Sequence, residues 1–105
     1  MIQAIFTVSE GYILSFDVSG HAGFGEEGED ILCASVSSAV IMAANTITEI
    51  QHLQAEITER DGFLSLKLSQ DEAKTAEVTR NGLLLHLNAL SQEYPQYIKV
   101  NISEV

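Results

Sequence analysis

The chain has 105 residues, 46% of them hydrophobic with a mean hydropathy of +0.13, and fifteen acids against five bases give a net charge of -10. This length predicts a single domain over residues 1–105 with its own core, and the composition excludes the low-hydrophobicity signature of disorder. Charge of this sign repels phosphates, which argues against direct nucleic acid binding and favours a basic partner.

The one cysteine, Cys33, cannot form an internal disulfide, so no oxidising compartment is implied and a cytoplasmic location is expected. The longest mainly apolar run, Ile31 to Ala44, is interrupted by serines and reads as too short for a bilayer. No basic segment precedes an apolar one at the N-terminus, so no membrane partner is expected.

Ile2 to Ser9 alternates with period two, placing Ile2, Ala4, Phe6 and Val8 on one face of a strand. Glu10-Gly11 is a turn pair, and Tyr12, Leu14, Phe16 and Val18 repeat the alternation, which predicts an antiparallel hairpin. After Ser19-Gly20, the glycines and glutamates of Ala22 to Glu29 bury little and cost backbone entropy to order, so a mobile loop is expected. Asp30 is a good N-cap, and the breaker-free run to about Leu53 predicts a long helix. Its first half is apolar on nearly every side, which implies burial against the sheet and against a second helix or a second subunit.

Ala55 and Ile57 lead into a strand ending at the turn Arg60-Asp61-Gly62, and Leu64, Leu66 and Leu68 mark the next strand. From Gln70, Ala73, Ala76, Leu83, Leu87, Leu90 and Tyr94 fall on one helical face, Gly82 suggests a close approach, and Pro95 stops the helix. Ile98, Val100 and Ile102 face inward on a last strand. The fold class expected is α+β: a mixed, mainly antiparallel sheet in the order β-β-α-β-β-α-β, with two helices on one face.

The chemistry concentrates between Gly20 and Ala39, where the only cysteine follows a histidine by 33 - 21 = 12 positions. A thiol in the first turn of a helix is favoured as thiolate by the dipole and free N–H groups, and His21 is the local cation able to offset Glu26, Glu27, Glu29 and Asp30. The backbone N–H groups of Cys33 and Ala34 are candidate oxyanion donors, with His21 as the proton carrier. A third, orienting group is Asp30 or Ser37, the latter one helical turn past Cys33; spacing does not choose between them. A buried structural cysteine is the alternative. The same acids with His21 and Cys33 match no zinc or EF-hand spacing, so no metal and no cofactor is expected. His52 and His86 read as surface residues of the two helices.

The runs Gly20-His21-Ala22-Gly23 and Gly28-Glu29-Asp30-Ile31-Leu32-Cys33-Ala34-Ser35-Val36-Ser37 resemble the paired motifs of the ribosomal-processing cysteine protease family known as Prp. Leu32 and Ser35 are mild variations on its pattern, and beyond Ala39 the likeness is one of pattern only. The resemblance implies a His21/Cys33 dyad, with Gly20, Asp30 and Ser37 as supporting motif positions. It also implies removal of a short N-terminal extension from a large-subunit ribosomal protein, and a homodimer. Ribosomal proteins are basic, which suits the charge of -10, and Phe24 is a candidate hydrophobic anchor for an extended substrate peptide. The competing expectation is a non-catalytic acidic adaptor that binds a basic ribosomal protein.

Overall fold

The computed structural model describes residues 1–20 and 27–105, and the side chains of all of these except residues 27–30. β1 (Ile2–Ser9) and β2 (Tyr12–Ser19) form the expected hairpin. Its turn residues Glu10 and Gly11 have φ of +52° and +84°, the paired left-handed conformation of a tight two-residue hairpin. Then come α1 (Glu27–Asn45), a π-helical turn (Thr46–Ile50), β3 (Glu56–Arg60) and β4 (Phe63–Lys67). α2 (Gln70–Thr75), α3 (Glu77–Glu93) and β5 (Ile98–Glu104) complete the chain. The sheet order is β3-β4-β2-β1-β5, antiparallel throughout except for the parallel pair of β1 with β5. The fold is α+β with a mixed, mainly antiparallel sheet, and the helices cover one face.

The core lies between that face and the helices. Ile2, Ala4, Phe6, Phe16, Val18, Leu66 and Ile98 of the sheet meet Leu32, Val36, Val40 and Ala43 of α1, Ile47 of the π-turn, and Leu83 and Leu87 of α3. Phe6 and Phe16, directly paired across the strands, sit with ring centroids 6.0 Å apart in a tilted arrangement.

Departures from strict periodicity have local causes. Thr7 pairs with Ser15 but Val8 pairs with Ile13, so Leu14 is a bulge and Ile13, not Tyr12 or Leu14, turns into the core. The first helix ends as an α-helix at Asn45 and not near Leu53. The hydroxyls of Thr46 and Thr48 donate back to the carbonyls of Met42 (2.7 Å) and Ala44 (3.1 Å), competing with the regular ladder where the helix loosens into the π-turn. His52, exposed as expected, takes φ of +56° and ends the segment.

The second helix is two helices, broken at Ala76 (φ -90°, ψ 6°). Ser69 caps α2 in a reciprocal capping box with Glu72. Arg80 of α3 is fully buried, and its guanidinium donates to the carbonyls of Ala73 and Ala76 at the end of α2. Desolvation by burial pushes this guanidinium down to about 10, against a partly offsetting attraction from Glu77. Gly82 makes no close approach among the described residues, since a methyl group there would meet none of them within 4 Å. Ile98 is buried and Val100 packs on the core, but Ile102 is 57% exposed where β5 runs past the helices.

The 20 residues from Ile31 to Ile50 form a helix long and apolar enough, by length and composition, to cross a membrane, which corrects the expectation that the run is too short. Leu32, Val36, Val40, Ala43, Ala44 and Ile47 of this segment are nevertheless buried in the core. Ile31, Ile41 and Met42 remain exposed in the single chain.

The capping box predicts an acid-dependent stability. Desolvation raises the Glu72 carboxyl, but the N–H groups of Gln54 and Ser69 and the Ser69 hydroxyl outweigh it and hold the carboxyl below its ordinary value of 4.5. A depressed carboxylate stabilises the fold above its unfolded pKa and loses that effect as pH falls through the folded value. Glu72→Ala is therefore expected to lower the melting temperature at pH 7 by a margin that narrows below about pH 4.5, as thermal unfolding across pH 3–7 would show.

Candidate active site

Cys33 is a free, half-buried thiol on α1, packed against the edge of the core. It opens into a cleft of about 470 Å³. Ala34, Val36, Ser37, Val40 and Ile41 of α1 form one wall, Ile2, Val18 and Gly20 the end of the β1–β2 sheet, and Glu59 to Leu64 of the β3–β4 hairpin the other wall. Among the described residues the lining is mainly apolar, with Ser37, Glu59, Arg60 and Asp61 as its polar side chains. Such a cleft, apolar with a few placed polar groups, is the usual form of a ligand site.

Gly20 holds one corner of this site. Its φ is +92°, its N–H donates to the Gly62 carbonyl at 2.9 Å, and a side-chain carbon there would collide with the carbonyl oxygen of Met1. The requirement for glycine thus comes from both conformation and close approach. The bond to Gly62 ties the end of β2 to the hairpin turn, fixing where the chain departs toward His21, the next residue. His21, Phe24, and the mobile loop expected around them fall outside the described residues, as do the side chain of Asp30 and the acids of the metal reading. Ala34 and Ser37 line the same cleft as Cys33.

The start of α1 corrects two expectations. Residues from Glu27 onward are helical, so Asp30 lies within α1 and not at its N-cap. Cys33 is then the seventh residue of α1 (27 to 33), in its second turn. Only the first four N–H groups of a helix lack an internal acceptor, so those of Cys33 and Ala34 belong to the ladder and are not free oxyanion donors. Side-chain donors among the described lining residues include the Ser37 hydroxyl, which has no hydrogen-bond partner among the described residues, and the Arg60 guanidinium, which lies 4.2 Å over the Phe63 ring.

The hairpin wall is the part that sequence reasoning missed. Arg60-Asp61-Gly62 is recognisable as a turn, with Gly62 at φ of +72°, but no local spacing connects it to Cys33. The connection comes from β4 pairing with β2, which sets the hairpin beside Gly20. Arg60 is the one base among the described residues that line the cleft.

The profile of the family described as Cysteine protease Prp matches residues 1–99. The chain belongs to the cysteine protease Prp family. A curated Prp relative, the ribosomal processing cysteine protease Prp of Bacillus subtilis (strain 168), is 29% identical over 107 residues, covering 95% of this chain and 96% of that one. The crystal structure of an essential ribosomal processing protease Prp from S. aureus in complex with a substrate peptide superposes with a TM-score of 0.89 at 25% identity, covering 98% of this chain and all of that one. The same S. aureus Prp with a covalently linked product peptide gives a TM-score of 0.86 at 26% identity, over 98% of this chain. The α+β architecture is thus that of solved Prp structures, and the family chemistry is cysteine proteolysis.

Proposed function

We propose that this chain is the endopeptidase that removes a short N-terminal extension from a basic large-subunit ribosomal protein, with Cys33 as nucleophile and His21 as general base. The observation that carries this reading is a free, half-buried thiol in the wall of a peptide-sized cleft, in a chain of the Prp family. Relatives named for ribosomal processing, one bound to a substrate peptide and one joined covalently to a product peptide, support it.

In this mechanism His21 takes the Cys33 proton and the thiolate sulfur bonds to the scissile carbonyl carbon. Collapse of the tetrahedral intermediate breaks the C–N bond, with the imidazolium protonating the departing amine. Water, deprotonated by His21, then releases the thioester as a carboxylate and restores the thiol. The oxyanion takes its donors from outside the α1 ladder. Gly20, Ala34 and Ser37 shape the cleft, Asp30 supports the dyad, and Phe24 anchors the peptide.

The charge of -10 draws a basic substrate and disfavours nucleic acid, and the single cysteine suits a cytoplasmic enzyme. The working form is a homodimer. Its support is a groove between α1 and α3 that leaves Met42, Val78 and the open backbone at Gly82 for a second copy.

The direct test is incubation with a synthetic peptide spanning the junction between extension and mature protein, read by mass. Two fragments that together account for the peptide plus one water are expected. Binding without any fragment would replace the protease reading with the acidic adaptor.

A further inference from the structure

Cys33, Ser37 and Ile41 all line the same cleft, at intervals of four residues along α1. That spacing stacks them on one helix face, so the cleft continues along the helix past the thiol. Eight residues at a rise of 1.5 Å span about 12 Å, which an extended peptide at about 3.3 Å per residue covers in about three to four residues.

The side chains on this path differ in size and exposure. Ala34 and Ser37 are small and exposed, leaving room for a backbone to pass. Ile41, by contrast, is branched, apolar and 46% exposed. It also borders a second, more open groove with Met42, Glu49 and Ile50, so the far end of the path is not closed. An open end suits a substrate whose chain continues, as an endopeptidase requires.

We propose that Ile41 is a specificity-determining residue. It forms an apolar subsite for a substrate side chain about three to four residues from the scissile bond, the intervening backbone lying past Ala34 and Ser37. This rests on the reading of Cys33 as the nucleophile and adds to it a second point of recognition, remote from the chemistry. A hydrophobic contact of this kind discriminates by about tenfold or more between an apolar side chain and a polar one of similar size.

The test is a panel of peptides built on the cleaved junction, with Leu or Gln at the third or fourth residue on either side of the scissile bond. kcat/KM is measured for the parent chain and for Ile41→Gln, with the sedimentation profile and the rate of Cys33 alkylation followed in parallel. The parent is expected to prefer Leu over Gln by about tenfold at one of these positions, and the variant to reduce that preference to about twofold. The subsite is overturned if the parent shows no preference there, or if the preference survives in Ile41→Gln. It is equally overturned if the variant lowers kcat/KM for every peptide by one factor while changing the oligomeric state, which would make Ile41 an association residue. No cleavage of any peptide by the parent chain would overturn the protease reading itself, and the subsite with it.

Discussion

Replacing Cys33 by alanine is expected to lower peptide cleavage by about 10⁴-fold or more, since no other group in the mechanism can form the acyl-enzyme. Stability should change far less. The thiol is half-buried at the edge of the core, so losing its sulfur costs about 1 kcal/mol, a few degrees in melting temperature for a domain of this size. His21→Ala should lower cleavage comparably, and the double variant should be no worse than either single one, because the two residues act as a unit. Mass analysis of the peptide reaction together with circular dichroism melts separates loss of chemistry from loss of fold. Cleavage by a folded Cys33→Ala variant within tenfold of the parent would remove this cysteine from the mechanism.

The second large effect is expected at Gly20, and it acts on the fold. Gly20→Ala puts a methyl group on a residue with φ of +92°, against the Met1 carbonyl oxygen and 3.2 Å from the Ile2 Cα. Left-handed strain costs about 1–2 kcal/mol and overpacking against backbone about 1–3 kcal/mol, so about 3 kcal/mol in all is expected, a fall of about 10–20 °C in melting temperature. Gly11→Ala is the control: its φ is +84°, but a methyl group there meets nothing within 4 Å, so only the strain of about 1–2 kcal/mol remains. Equal melting temperatures for the two variants would show that the contact with Met1 carries no weight.

The sequence was most legible where the pattern was longest and most local. Alternation in β1, the turn at Glu10-Gly11, the turn ending at Gly62 and the stop at Pro95 each follow from neighbouring residues, and each stands in the structure. Cys33 was legible as chemistry because a cysteine within a distinctive motif needs no three-dimensional information to be noticed.

What was not legible depends on interactions that spacing does not encode. The bulge at Leu14 is a property of the pairing between two strands. The break at Ala76 is stabilised by Arg80, whose charge gave no sign that it would be buried against the carbonyls of α2. An N-cap at Asp30 was a reasonable inference from one side chain, but the backbone is already helical from Glu27, which moves Cys33 out of the first turn. The hairpin wall could be assigned to the cleft only once the strand order was known.

The parallel pairing of β1 with β5 joins Ile2 to Ile98 and Ala4 to Val100, near opposite ends of the sequence. On a chain made from the N-terminus, β1 waits unpaired on that side until β5 has been added. The N–H of Ile2 also donates to the Tyr97 carbonyl, so the segment that packs against Gly20 is secured by the same late-made region. Contacts of such long sequence separation slow folding, because the loop must close before the pairing repays it. A nascent chain therefore carries Cys33 long before it has a finished cleft around it, and the segment that closes the cleft beside Gly20 is held in place only after β5 has been made and paired.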